Sequence, residues 1–526
     1  MEDDALTRSQ TRAVVIGAGI GGLSAAMRLV AQGLAVTVVE AADMPGGKMR
    51  TTPSDAGPID IGPTVLTMRP VFEELFANLG ERLTDHVTLH RDPLLARHHW
   101  RDGSSLDLFD DPDASAEAVR NFAGAKAERQ FRRFSAKARA LFEAFDGPVM
   151  QADTPRFSRL TAHVLRKPSL IPAMAPGLSL ARRLSLSFSD PRLQQLFGRY
   201  ATYVGGSPYQ SPAVLGLIWH SEAQGVWSVA GGMHGLAKAM HDLAASKGVE
   251  FIFSQPVTQI DQSEGRIAQA VLLDGTCLPA DVIVFNGDPR ALRHGFLGDA
   301  VTGAVPDTGT EPRSLSAFVW GFAAEPAGVD LVHHNVFFCD DPKVEFGDLA
   351  QGQMPRDASL YVCAQDRGAR THDGPERFEI IMNGPPGHRT TTEDRKTCQT
   401  RTFETLARMG LTFSPTPDIS ALTTPADFNR AFPASDGSLY GRSPHGMSAT
   451  FQRPTARTTI PGLYLAGGGA HPGAGIPMAC LSGKHAAAAI LSDLASISTS
   501  RPMAMPGGMS TGSATMAPAP SPSSAS

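Results

Sequence analysis

The residues with the most chemical content in this chain are glycines, and their spacing points to anion binding. Gly17, Gly19, Gly21 and Gly22 stand in "VVIGAGIGGLSAA", which contains GxGxxG, and Glu40 closes the following apolar run, "AVTVVE". Gly46, Gly47 and Lys48 come next in "MPGGKMRTT", and Gly62, Pro63 and Thr64 in "DIGPTVL". Near the other end, "LYLAGGGAHPGAGIP" supplies Gly467, Gly468 and Gly469 and then Gly475, Ile476 and Pro477. Glycine turns let backbone N–H groups approach a phosphate, and a helix starting behind them adds unpaired N–H groups and the positive end of its dipole. No catalytic set competes with this reading. His98-His99 and His333-His334 lack HExxH or Cys/His ligand spacing, so they read as surface or core histidines and no metal site is expected. Gly508 to Gly512 formally matches GxSxG, without the strand and helix that a hydrolase elbow needs. No catalytic acid or base is assigned. His471 is the nearest titratable group by motif, and a structural role in its loop is the preferred reading.

These residues work only where the right elements carry them. Ala13 to Ile16 form a short, fully apolar run, as expected of a parallel strand buried on both faces. Helix-period residues follow up to Gly33, and a second strand, Ala35 to Val39, ends at Glu40. In such a unit Gly17 makes the tight turn, Gly19 admits a pyrophosphate and Gly22 allows close helix–strand packing. Glu40 accepts hydrogen bonds from ribose hydroxyls, and its charge argues against NADP. The clusters at Gly46-Gly47-Lys48 and Gly62-Pro63-Thr64 exceed what NAD requires and suit the longer FAD. Further on, a helix is expected over Leu236 to Ser246 and a strand over Val249 to Ser254. The backbone of Val257 is expected to meet the adenine. A hairpin about Asp274-Gly275 and a buried strand, Val282 to Phe285, come next. Leu463 to Leu465 read as the last strand of the same sheet. Gly467 to Gly469 would then pass the ribityl-diphosphate arm. Gly475-Ile476-Pro477 would open a helix toward the redox end of the flavin, where Pro477 costs little in the first turn.

The chain of 526 residues is too long for one hydrophobic core, and its 42% hydrophobic content, 19% charged content and net charge of -5 are those of a globular protein. That balance excludes nucleic acid as an expected partner. Five scattered cysteines without a CxxC pair fit a reducing compartment. The start, "MEDDALTRSQTR", lacks the features of a secretory signal, and no run approaches the length of a spanning helix. Between Arg156 and Arg199 eight basic residues face one acid, interleaved with Leu, Ile, Met and Phe. This pattern suits docking on an anionic membrane surface, the alternative being a solvated basic helical face. The expected location is cytoplasmic, peripherally on a membrane surface. The Ser/Ala/Pro/Gly-rich end, 498–526, reads as a disordered tail. No second strand-GxGxxG-helix unit is present for a pyridine nucleotide, so electrons are expected to leave to oxygen or a quinone.

The segments "VVIGAGIGGLSAA", "PGGKMRT", "DIGPTVL", "VAGGMHGLAKAM", "ADVIVFNGDP" and "GAHPGAGIPMACLSGKHAA" resemble, in the same order, bacterial carotenoid desaturases of the phytoene-desaturase type. "LARHHWRDGSSLDLF" and "FGRYATYVGGSPYQSPAVLGLIWHSEAQGVW" look most like the branch that desaturates 1-hydroxycarotenoids at the 3,4 bond. The resemblance implies an α/β fold: a discontinuous Rossmann-like FAD-binding domain of the amine-oxidase and GDP-dissociation-inhibitor superfamily, with inserted helical and mixed-sheet substrate domains. The expected division is FAD-binding parts at 11–110, 226–300 and 431–497, a helical substrate and membrane-docking insertion at 111–225, and a sheet-containing insertion at 301–430. The implied substrate is an acyclic hydroxycarotenoid, losing a hydride to flavin N5 and a proton to an unassigned acceptor. Other readings stay open: another desaturation in the same family, an amine or porphyrinogen oxidase, or a non-enzymatic carrier of prenyl lipids.

Overall fold

A computed structural model describes residues 10–367 and 374–500. Most of the expected tail, from residue 501 on, and the GxSxG match lie outside the described residues.

The apolar runs near both ends and in the middle of the chain meet in one five-stranded parallel sheet. Its strands are β1 (Arg12–Ile16), β2 (Ala35–Val39), β3 (Glu250–Ile252), β4 (Val282–Phe285) and β5 (Leu463–Leu465), in the order β5-β4-β1-β2-β3. Val15 lies opposite Val38 on one side and Val284 on the other. A strand with neighbours on both sides and cover on both faces must be apolar throughout, and Ala13, Val14, Val15 and Ile16 are all buried. Helix α1 (Ile20–Val30) is buried from Ile20 to Leu29 because helix α2 (His234–Ser246) and helix α3 (Ile476–Ser500) both pack beside it. The approach of α3 is close: a Cβ on Gly483 would lie 2.4 Å from the carbonyl oxygen of Gly21. The strand expected over Val249 to Ser254 is shorter, Glu250–Ile252, since Ser254 and Gln255 turn back to hydrogen-bond the carbonyls of Ala42 and Glu40.

The second large sheet has eight strands. Its central pair is Ser316–Gly328 with Glu376–Gly384, followed by Leu360–Ala364 and His334–Phe337. Leu411–Ser414 and Leu422–Thr423 pair with Ser316–Gly328 at one end, and Leu94–His99 and Ser105–Phe109 complete the other, although the residues of these last two fall inside the expected first nucleotide-binding segment. Local alternation marks these two as strands but says nothing about which sheet edge they join, a non-local choice. One face packs Phe318, Trp320, Phe378 and Ile380 beneath the helix Thr392–Arg408. The other brings Gly321, Glu379, Cys363 and His334 into one cross-strand row. That face meets Ile59 and Ile61 from the segment leading to Gly62.

Between the sheets, residues 112–223 are largely helical, as their pattern predicts. The first helix runs Pro112–Phe145 and is interrupted at Gly124, whose φ of 85° no helix accommodates. Phe131, Phe134, Phe188, Phe197, Tyr200 and Trp219 form its aromatic core.

Candidate functional site

The first glycine turn is built against β4 and the second glycine loop. Gly17 has a φ of 100° and donates its N–H to Val39 at 2.7 Å, so the chain turns sharply off β1. A Cβ on Gly22 would stand 2.1 Å from the Gly17 carbonyl oxygen, which makes a side chain impossible without moving α1. On Gly21 it would lie 2.5 Å from Gly467 N and 2.6 Å from Asn286 Oδ1. The two glycine groups, 17–22 and 467–469, are therefore in direct contact. Gly467 itself has a φ of 95°, and its N–H is held by Ser482 Oγ on α3 at 2.7 Å. Gly468 gives its carbonyl to Arg453 and Gly469 abuts Pro289. Gly475, with a φ of 104°, leads into α3 at Ile476 and Pro477.

Gly46 and Gly47 cross over Gly19: Gly46 bridges to it, donates to the Ala18 carbonyl at 2.9 Å, and a Cβ on Gly47 would sit 3.2 Å from Gly19 Cα. Gly62 touches the Lys48 carbonyl so closely that a Cβ would be 2.1 Å away. Glu40 accepts hydrogen bonds from the N–H groups of Ala18 at 2.7 Å and Ala42 at 2.9 Å, so its carboxylate ties the glycine turn to the end of β2. Val257 starts a strand just past the Gln255 contact with Glu40 and packs against the core around Ile16 and Val39. Pro63 continues from Gly62, and Thr64 turns away: its hydroxyl lies 2.7 Å from Tyr361 OH on the second sheet. Thr64 therefore stands at the boundary between the two halves of the molecule.

Lys48 donates to the Leu439 carbonyl and lies over the Phe432 ring. Some of the residue stays accessible, yet protein surrounds the ammonium, and burial pushes its pKa down to about 8. Asp288 acts in the opposite direction, and Arg313 and Arg453 add repulsion.

Three residues at this junction were not singled out from the sequence. Asn286, in "VFNGDP", donates Nδ2 to the Gly17 carbonyl at 3.1 Å while its buried Oδ1 has no partner among the described residues. Arg453 is buried and gives its guanidinium to the carbonyls of Tyr440, Gly468 and Arg442, fastening the second glycine loop. Its pKa falls to about 10 through burial, with repulsion from Arg442. Asp60 accepts the N–H groups of Met233 and His234 at 2.7 and 3.1 Å and so caps the start of α2. It explains why "DIGPTVL" and "AGGMHG" belong together, since a Cβ on Gly232 would meet Asp60 Oδ2 at 2.4 Å. Asn286 stands within a quoted motif; Arg453 sits in no motif, and only its buried position marks it.

His471 donates from Nε2 to the Ala152 carbonyl at 2.9 Å and stacks on His485. Burial and His485 lower its pKa to about 4, so it is neutral at pH 7 and ties the loop to the helical region. Glu379 is different: it is wholly buried and neither carboxylate oxygen has a partner among the described residues. Burial first, then Cys363 and Asp60, holds its pKa well above the carboxylate range. A protonated Glu379 can donate to a neighbour but is not poised to accept a proton. His333, His334 and Cys363 bring ligand atoms within 4.8 Å of one another. His333 is bound through Nδ1 to the Arg367 carbonyl and contacts Cys363 Sγ through Nε2.

Backbone glycines that tolerate no Cβ, two loops in contact and a helix start behind each are the features that a dinucleotide-binding unit uses to approach phosphates. A sequence model of the flavin containing amine oxidoreductases matches residues 20–491. The chain belongs to that family. Its cofactor is FAD. The hydroxyneurosporene desaturase of Cereibacter sphaeroides is 57% identical over 486 residues, covering 92% of this chain and 98% of that protein. The hydroxyneurosporene desaturase of Rhodobacter capsulatus is 54% identical over 487 residues, covering 92% and 99%. Among solved structures, cyclohexylamine oxidase from Brevibacterium oxydans has a TM-score of 0.55 at 19% identity, covering 92% of this chain and all of that one. That likeness is one of fold. The family member described here thus keeps the flavoprotein architecture while its sequence lies with the carotenoid desaturases.

Proposed function

We propose that this flavoprotein introduces a C=C bond into an acyclic hydroxycarotenoid, at the 3,4 bond of a 1-hydroxylated end. The observation that carries this reading is the identity of 57% and 54%, over nearly the full length of both partners, to two hydroxyneurosporene desaturases. Bound FAD supplies a hydride acceptor for the CH2 group beside the polyene. The residues that would hold it are Gly17, Gly19, Gly21, Gly22, Glu40, Gly47, Lys48, Gly62, Pro63, Thr64 and Val257, with Gly467, Gly468, Gly475, Ile476 and Pro477 from the far end of the chain. Asn286 and Arg453 keep the two glycine loops in register, and the start of α3 offers a positive dipole end to negative charge. Oxygen or a quinone is the proposed electron acceptor; the five-stranded sheet is the sole all-parallel sheet among the described residues.

The test is to give the FAD-loaded protein an acyclic carotenoid bearing a terminal tertiary alcohol and follow absorption. Each new conjugated double bond shifts the spectrum to the red; an unchanged spectrum with reducible flavin would overturn the reading. Lys48 adds a pH dependence. Its pKa lies below that of a free lysine, so its positive charge is lost as pH rises through about 8. FAD retention should weaken across that interval, and Lys48→Met should retain FAD more weakly below it with no matching step. Equal retention at pH 7 and pH 9.5 in the wild type would remove Lys48 from the diphosphate site.

A membrane surface is the proposed source of the substrate. Phe157, Leu165, Ile171 and Leu186 are exposed, at 69%, 69%, 43% and 61%. They alternate with exposed Arg156, Arg159, Arg166, Lys167 and Arg182. Two residues counted with this surface from the sequence leave it: Arg192 pairs with Asp190 and lies over the Phe122 ring, and Arg199 points inward. No helix among the described residues is long and apolar enough to cross a membrane.

A further inference from the structure

Inward-facing Arg199 belongs to a small cavity between the helical region and the second sheet. Tyr203, Glu222, His334 and Tyr361 line it too, with Val65 among its apolar walls. Arg199 opens the tight helical stretch after Pro191–Gly198, Glu222 lies on the short helix Ile218–Ala223, and His334 and Tyr361 are on adjacent strands of the sheet. Buried polar atoms in folded proteins almost always have partners. Here three around one cavity lack them among the described residues: Arg199 Nε, Glu222 Oε2 and His334 Nε2. Tyr200 OH donates to Glu222 Oε1 at 2.9 Å, the Arg199 guanidinium lies 4.9 Å from the Tyr203 ring centre, and His334 Nδ1 is 2.7 Å from Tyr361 OH.

The donor and acceptor balance is informative. Thr64 OH can donate to Tyr361, and Tyr361 OH to His334 Nδ1, in a chain of 2.7 Å contacts. That order leaves the proton of a neutral His334 on Nε2, as a donor. Burial, His333 and Arg199 hold His334 in the neutral form. The Arg199 Nε–H is a second donor. Burial raises the Glu222 pKa and the Arg199 charge opposes that rise; in the ionised form Glu222 Oε2 is an acceptor. Two donors and one acceptor in an apolar wall complement a hydroxyl group, which donates once and accepts twice. The cavity gives about 10 Å³ of room to the centre of a water-sized atom, about enough for a single oxygen.

We infer that this cavity seats the tertiary hydroxyl of the carotenoid end, with Arg199, Glu222 and His334 as the residues that set specificity for hydroxylated substrates. The inference rests on the proposed desaturase reading. It fits that chemistry geometrically, because an oxygen on C1 is only three or four bonds, about 4–5 Å, from the C3–C4 unit that loses hydrogen. The hydroxyl seat must therefore adjoin the reacting centre. Val65 lines the cavity and Thr64 is bonded to Tyr361, so the seat borders the Gly62-Pro63-Thr64 segment proposed for the flavin.

The test compares two polyenes of equal length on FAD-loaded, full-length protein, one ending in the tertiary alcohol and one in the corresponding hydrocarbon. Wild type should prefer the alcohol in kcat/KM by about a hundredfold or more, since a site built to bind a hydroxyl is left unpaired by an analogue lacking it. Glu222→Gln and Tyr361→Phe should each lower that ratio about tenfold. The second variant breaks the chain that orients His334. If Glu222→Gln fails to bind flavin, Tyr361→Phe and the wild-type ratio still decide. Conversion of both polyenes at equal efficiency would overturn the hydroxyl seat, leave the desaturase reading intact and assign the cavity to a structural water. Variants that slow both substrates equally would also overturn it. Conversion of neither would instead remove the desaturase reading on which it rests.

Discussion

Gly21→Val should yield protein that retains at most about one hundredth of the wild-type FAD. The first added carbon would lie 2.5 Å from Gly467 N, 2.6 Å from Asn286 Oδ1 and 2.7 Å from Gly467 Cα. Two of those atoms are backbone and cannot rotate away, so α1 and the second glycine loop must separate. Overpacking of a well-filled core typically costs about 1–3 kcal/mol, and a change near the upper end is worth about a hundredfold in affinity. Flavin absorbance after gel filtration reads the outcome, with circular dichroism as the check on folding. Gly347→Ala is the control: it lies in the helix Pro342–Ala350, and a Cβ there meets nothing within 4 Å. Full flavin occupancy in a folded Gly21→Val protein would separate the glycine junction from the FAD site. Gly19, the position that the motif alone favours for this experiment, is the milder site. Its Cβ would meet Asn286 Nδ2 at 2.9 Å, the end of a side chain that has some freedom to move.

The second large effect concerns the membrane. Replacing Lys167, Arg182 and Arg183 together by Gln should weaken binding to anionic vesicles about a hundredfold, from about 1 kcal/mol for each cation near the surface. Wild-type binding should fall steeply with added salt, because exposed charges are screened over about 10 Å at 0.1 M. Lys167 and Arg182 are exposed and Arg183 partly so. Phe157→Ser with Leu165→Ser should weaken binding with little change in its salt dependence, since those side chains contribute apolar burial rather than charge. Co-sedimentation with vesicles of anionic and zwitterionic lipid measures both. Unchanged binding by the triple variant would move the docking surface elsewhere.

The nucleotide-binding elements were legible because their requirements are local. A strand buried on both faces needs a continuous apolar run; β1 from Ala13 on, β4 and β5 carry one, and β2 carries one broken only by Thr37. A turn that admits backbone only needs glycine, and Gly17 and Gly467 both adopt positive φ. The same locality explains the differences. "LARHHWRDGSSLDLF" is plainly a hairpin, yet its pairing with His334–Phe337 depends on an edge more than 200 residues away. The stretch from Arg156 to Arg199 reads as uniformly basic, whereas Arg192 turns toward Asp102 and Arg199 lies inward over the Tyr203 ring.

Sequence alone determined the class of cofactor, the family and the order of the glycine motifs, because backbone approach and strand burial restrict residue type one position at a time. Tertiary structure decided which motifs touch. It set Gly21 against Gly467, placed Asn286 and Arg453 between the loops, and joined Thr64 through Tyr361 to His334. It also left Arg199 Nε, Glu222 Oε2 and both Glu379 carboxylate oxygens buried without partners among the described residues, which no spacing along the chain reveals. The reason is physical: a side chain's charge state and unsatisfied bonds come from groups brought near it by folding, and those lie far away in sequence.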